Sequence, residues 1–187
     1  MNMHHLSDEE IIQGCMARKQ KYQELLYTRY SGKMFAVCLR YAPDYHSAED
    51  ILQEGFIKIF KNIDRFRNDG AFEGWLRRIF VNTAIEHFRR NMPLYPIVEA
   101  PDNSMTIIDE HAFSNLAAED LMSMLQNLSA GYRTVFNLYV IEGYSHKEIA
   151  TMLNISEGTS KSQLARARVL LQKKVEATFK NTEENYV

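Results

Sequence analysis

The chain has 187 residues, of which 45% are hydrophobic and 25% charged, with a formal net charge of −2 and two cysteines. That suits one soluble domain or two small ones. It leaves no apolar run of about 18 residues to span a membrane, no basic-then-apolar leader, and no paired-cysteine spacing for a metal or a disulfide framework. The near-neutral sum hides an uneven distribution: residues 65–91 carry six Arg against three acids, residues 145–175 carry six Lys/Arg against two, and residues 94–120 carry six acids and no Lys or Arg. Two basic segments separated by an acidic one point to a polyanionic partner more than the sum suggests.

In chain order, residues 7–31 predict a helix or a helix pair. Ser7 precedes Asp8, Glu9 and Glu10, a capped and acid-rich first turn. Ile11, Ile12, Cys15 and Met16 make one apolar stripe, and Tyr22, Leu25, Leu26 and Tyr30 another. Cys15 thus reads as a small core residue in a reducing compartment. Gly32 marks either a break or a close contact. Met34, Phe35, Val37, Cys38, Leu39 and Tyr41 continue a helix up to Pro43.

Residues 47–63 predict the next helix, with Ser47 and Asp50 spaced as a capping box. Ile51, Leu52, Phe56, Ile59, Phe60 and Ile63 form its buried stripe. Asp50, Gln53, Glu54, Lys58 and Lys61 lie opposite and, taken alone, are a solvated face. After the turn signal Asn68-Asp69-Gly70, Phe72, Trp75, Leu76, Ile79 and Thr83 recur at helical spacing, with Arg77, Arg78, Asn82, Arg89 and Arg90 on other faces. Aromatic rings beside guanidinium groups suit single-stranded nucleic acid, because bases stack on the former and phosphates pair with the latter. Phe66 and Phe72 are the expected stacking residues, and Trp75 is expected in the core.

Pro93, Pro96 and Pro101 punctuate an irregular acidic stretch, residues 94–116, expected to be a flexible linker. Periodicity resumes with Leu121, Met124, Leu125 and Leu128. Ser129 then opens a helix carrying Val135, Phe136, Tyr139 and Val140, which Gly143 closes. Residues 144–171 predict two helices meeting at a corner. Ser145 and Glu148 are a capping box, Asn154 tolerates the left-handed conformation at the corner, and Ser156 caps the second helix with Glu157 at its positive end. This is the pattern of a helix-turn-helix, though an ordinary helical hairpin with a solvated basic face has the same signals. At about 100° per residue, Leu164, Ala167 and Leu171 face inward with Ser160. Thr159, Ser162, Gln163 and Arg166 face outward, flanked by Lys161 and Arg168.

No Walker loop, His-Glu-x-x-His or other catalytic spacing is present, and His87, His111 and His146 are isolated in sequence. No enzyme activity, cofactor, metal or small-molecule substrate is therefore expected.

Three segments in order carry a resemblance. Ala48-Glu49-Asp50-Ile51-Leu52-Gln53-Glu54-Gly55-Phe56 resembles the core-polymerase-binding helix of bacterial RNA polymerase sigma factors of the extracytoplasmic-function group in the sigma-70 family. Gly74-Trp75-Leu76-Arg77-Arg78-Ile79, with Asn82 and Arg89-Arg90, resembles that family's promoter-melting helix. Residues 143–168 resemble its −35-reading helix-turn-helix. The resemblance implies an all-α protein of two small helical domains: residues 1–93, like sigma region 2, and residues 117–187, like sigma region 4, with residues 94–116 between them. It implies docking of Asp50, Gln53 and Glu54 on the clamp of the largest subunit of core RNA polymerase. It implies −10 DNA contacts by Phe66, Arg67, Asn68, Phe72, Arg77, Arg78, Asn82, Arg89 and Arg90, and −35 promoter DNA contacts by Thr159, Lys161, Ser162, Gln163, Arg166 and Arg168. It further implies cytoplasmic localisation and an anti-sigma factor, often membrane-anchored, as a second protein partner. Two positions depart from the family pattern: Ser160 stands where an apolar residue is common, and Ser129 where Pro is common.

Overall fold

Eight α-helices account for most of the residues described by the structure, a computed structural model that covers residues 6–67, 70–91 and 118–184. They are α1 (Asp8–Met16), α2 (Gln20–Tyr41), α3 (Tyr45–Asn62), α4 (Phe72–Asn91), α5 (Ala118–Gln126), α6 (Ala130–Phe136), α7 (His146–Leu153) and α8 (Glu157–Glu184). A 3-10 turn, Ile63–Arg65, follows α3, and a π turn, Asn137–Ile141, follows α6. The chain divides into two compact units, residues 1–87 and 88–187, with the last turn of α4 running past the boundary. The acidic stretch 94–116 lies outside the described residues.

In the first unit, residues 7–31 resolve as a helix pair. The Ser7 hydroxyl accepts from Glu10 N–H at 3.2 Å, and the Glu10 carboxylate accepts from Ser7 N–H at 2.7 Å. Between α1 and α2 the chain turns through Arg18, in the left-handed region at φ 55°. The Tyr30 hydroxyl and the Arg29 guanidinium donate to opposite oxygens of Asp8 at 2.6 and 2.8 Å, strapping α1 to α2. Burial alone would raise the Asp8 carboxyl; the Tyr30 and Arg29 bonds outweigh it and hold it below its ordinary value. Gly32 neither breaks α2 nor meets a neighbour, since it is exposed in mid-helix with open space around it.

Helix α3 begins three residues earlier than a cap at Ser47 implies. Asp44, not Ser47, is the cap, and its carboxylate accepts from Ser47 N–H at 2.7 Å. Pro43 cannot continue α2, and Asp44 is the first residue after it whose side chain can accept a helix N–H. Leu26, Met34, Ile59, Leu76 and Phe80 fill the core at no more than 2% exposure, each stabilising the fold by roughly 1.5–3 kcal/mol. Gly55 lets α3 and α4 approach, because a Cβ there would collide with the Phe80 ring. Cys15 and Cys38 are buried, and burial pushes their thiols up to about 11 and about 12, which keeps both protonated and unreactive.

In the second unit, α8 packs against α5, α6 and α7. Arg133 is only 3% exposed and donates to the carbonyls of Gln126 and Leu128, both at 2.9 Å, satisfying the open end of α5. The helix opened at Ser129 does not run uniformly to Gly143. It relaxes into the π turn, where Glu142 N–H donates to the Asn137 carbonyl at 3.0 Å, and then reverses at Gly143, φ 77°. Helix α7 has the predicted capping box, with Glu148 bonded to Ser145 N–H at 2.8 Å, and ends at Asn154 with φ 55° and ψ 49°. Ser156 caps α8 by accepting from Thr159 N–H at 2.9 Å.

Candidate nucleic-acid and polymerase interfaces

On α3 the apolar stripe is sealed, with Ile51, Leu52, Phe56 and Ile59 all buried, which leaves Asp50, Gln53 and Ile57 exposed along the other side. Glu54 differs from its neighbours. It is half-buried, with one oxygen 3.0 Å from Lys58 Nζ and the other 2.7 Å from His87 Nε2. Lys58 also reaches Glu86 at 2.7 Å and the Thr83 hydroxyl at 3.2 Å on α4. Glu54 therefore reaches α4 directly through His87 and indirectly through Lys58 of its own helix, while Asp50 and Gln53 present themselves outward. His87 is not isolated in the fold, although its partner lies 33 residues away and gives no local signal.

The second set straddles α4 and the loop before it. Phe66 is half-buried and Arg67 exposed, and Asn68 lies outside the described residues. Phe72 corrects the sequence expectation. It is 6% exposed, edge-on to Tyr30 at 5.6 Å, and cannot offer a free face to a base. Trp75, expected in the core, is half-buried instead and stacks on Phe72 at 5.7 Å, with Phe66 at 5.5 Å closing the cluster. Position 72 opens α4 directly above Tyr30 of α2, so the first aromatic enters the core and the one a turn later lies at its rim. Arg78, Asn82, Arg89 and Arg90 are exposed and Arg77 is half-buried. Arg78, Asn82 and Arg89 fall within about 40° of one another around the helix, a single polar and basic row.

The third set lies on α8. Lys161 and Ser162 are exposed, and Thr159, Arg166 and Arg168 are half-buried. The Thr159 hydroxyl pairs with Ser156 Oγ at 2.8 Å, and the Ser162 hydroxyl donates back to the Thr159 carbonyl at 3.0 Å. Gln163 is a second correction. Predicted to face outward, it is 3% exposed and rests against Gly131 of α6. A helical wheel drawn for one apolar stripe assumes one packing partner; α8 has α7 on one flank and α6 on another, so its buried arc is wider. Arg168 lies over the Tyr139 ring at 5.9 Å. Ser160 is fully buried, as the wheel indicated, but its hydroxyl bonds to His146 rather than to local backbone.

The assembly is that of an all-helical DNA-binding protein: a capped helix-turn-helix in one unit, and in the other a helix with a basic row beside a helix with an open polar face. Among the described residues, no helix is long and apolar enough to cross a membrane, and no group of side chains could hold a metal ion. Comparison with known families gives matches to sigma-70 region 2 over residues 26–93 and to sigma-70 region 4 over residues 118–171, together well over half of the chain. RNA polymerase sigma-H factor of Pseudomonas aeruginosa is 29% identical, covering 89% of this chain and 92% of its own length. ECF RNA polymerase sigma-E factor of Escherichia coli K12 is 29% identical, covering 91% and 95%. A solved complex of the sigma factor RpoE with the anti-sigma factor NepR, from Bartonella quintana, aligns at 21% identity with a TM-score of 0.49 over 82% of this chain and 96% of that one. The chain belongs to the sigma-70 family of RNA polymerase sigma factors, in the extracytoplasmic-function group. It directs promoter-specific transcription, as a member of a family of non-catalytic initiation factors.

Proposed function

We propose that residues 1–93 dock on the clamp of core RNA polymerase through Asp50 and Gln53 and hold melted −10 DNA with Phe66, Arg67, Asn68, Arg77, Arg78, Asn82, Arg89 and Arg90. Residues 117–187 read the −35 duplex with Thr159, Lys161, Ser162 and Arg166. Glu54 serves the docking face by fixing α3 on α4, and Arg168 borders the reading face. The observation that carries this reading is the outward arc of α8: in a capped helix-turn-helix whose inner arc is sealed, Lys161, Ser162 and Arg166 are what remains to meet a major groove. The chain works in the cytoplasm with the polymerase, and an anti-sigma factor, membrane-anchored in one common arrangement, restrains it by covering these surfaces.

The test is a binding assay between the full chain and purified core polymerase. Asp50→Lys reverses a charge at the centre of the proposed face and should weaken core binding by at least about tenfold, while leaving the free chain's affinity for −35 duplex unchanged. Wild-type affinity of Asp50→Lys for core would mean that the docking face is misplaced. A wild-type chain that does not bind core would overturn the docking reading altogether.

A further inference from the structure

His146, Ser160, Tyr139 and Arg168 are distant in sequence and contiguous in space. His146 is the first residue of α7, and its Nδ1 shares a hydrogen bond of 2.9 Å with the hydroxyl of Ser160, the fourth residue of α8. The imidazole stacks on the Tyr139 ring, with centroids 4.5 Å apart and planes 22° from parallel. Tyr139 is carried by the π turn, and the Arg168 guanidinium lies 5.9 Å from its centroid. Ser160 and Arg168 are eight residues apart on α8, about 12 Å of helix, and bracket the outward residues Lys161, Ser162 and Arg166.

An apolar residue at 160 would fill the same space without direction. A buried hydroxyl requires a partner, and a hydrogen bond restricts both distance and angle. The pair fixes the rotation of α8 at its start, and the Tyr139–Arg168 contact, of cation–π type, restrains it two turns later. Around the ring, Lys161 and Arg168 face His146 from α8, with Glu157 the opposing charge. Its bond to the buried Ser160 places the imidazole against the inner side of α8, the side opposite Ser162 and Arg166 around the helix.

We infer that His146 is a positioning residue for promoter recognition: through Ser160 and the Tyr139–Arg168 stack it sets the rotation and depth at which α8 enters the groove, and so tunes which −35 sequence is preferred. This rests on α8 being the −35 reader. Base readout depends on angstrom-scale placement of bidentate side chains, whereas phosphate contacts tolerate small shifts. Loosening the pair should accordingly lower discrimination more than affinity.

The test uses holoenzyme reconstituted with the full chain and a −35 sequence selected from a random library, compared with the same promoter mutated at −35. His146→Ala and Ser160→Ala should each reduce the matched-to-mismatched ratio by about fivefold, the worth of one directional neutral hydrogen bond. Their double variant should lose no more than either single one, and the salt dependence should stay unchanged. His146→Asn or His146→Gln, which can keep the bond to Ser160, should restore most of the ratio. Equal losses on both promoters, additive effects, or no rescue would overturn the inference. Arg166→Ala is the control for the reading beneath it. If Arg166→Ala leaves −35 binding unaltered, α8 is not the reader; if it weakens binding while the His146 and Ser160 variants keep the wild-type ratio, only the positioning role fails. Thermal melting of Ser160→Val, which supplies apolar packing without a hydroxyl, separates loss of packing from loss of the bond: a wild-type midpoint with lowered discrimination supports the inference, and an intact ratio overturns it.

Discussion

At His146 the surroundings favour the neutral ring. Burial comes first, then the positive charges of Lys161 and Arg168, with Glu157 acting the other way, and the net effect holds the imidazole below its ordinary value of 6.5. The folded chain consequently binds fewer protons here than the unfolded chain as pH falls through 6.5. The sign follows from linkage: the stability contributed by this group is complete above pH 6.5 and is lost as pH drops through the lower folded-state value. An NMR titration of the His146 ring in the full chain should show a midpoint below 6.5, and the loss of stability as pH falls below 6.5 should be shallower in His146→Gln. A midpoint at or above 6.5 would contradict the electrostatic account. At the same scale, Glu54 shows that a charged residue on a helix face is not free by default. Its two oxygens are occupied by Lys58 and His87, whereas Asp50, one turn earlier, is open.

Among the elements, α3 and α4 owe their closeness to Gly55. Gly in mid-helix costs about 1 kcal/mol against Ala; at position 55, unlike exposed Gly32, the close approach of the Phe80 ring gives it a packing reason. Gly55→Ala should improve helix propensity yet destabilise the first unit by about 1–3 kcal/mol, the usual scale of overpacking, measured by denaturant unfolding of the full chain. A stabilised variant would show that Phe80 can move aside at no cost. The π turn is the matching device in the second unit. One wider turn precedes the reversal at Gly143 and carries Tyr139 to the imidazole, a contact that straight α-helical periodicity from Ser129 to Gly143 does not anticipate.

For the whole molecule, a net charge of −2 is compatible with DNA binding because residues 65–91 and 145–175 carry net charges of +3 and +4 and residues 94–120 carry −6. What a polyanion meets is the local field, within a Debye length of about 8–10 Å at ordinary salt. Binding of the full chain to −35 duplex should therefore weaken steeply with salt. Lys161→Ala should flatten the log–log slope by about 0.9, the value of one phosphate contact. An unchanged slope would remove Lys161 from the phosphate-binding set.

The helices, their caps at Ser7, Ser145 and Ser156, the left-handed corner at Asn154 and the inward turn of Ser160 are all legible in sequence. They depend on interactions within three or four residues or on the period of a single helix. The partners of that sequence pattern are not legible. Phe72 is in the core because Tyr30 of α2 lies beneath it, and Gln163 is covered because α6 brings Gly131 against it. Glu54 is tied down by His87 from 33 residues away, and Ser160 by His146 from 14. By itself the sequence determined which segments are helical and which family they compose, because local periodicity and motif order need no third dimension. Only the tertiary structure decided which polar side chains on those helices are open to a partner and which are already used inside, because burial is a property of the faces that meet.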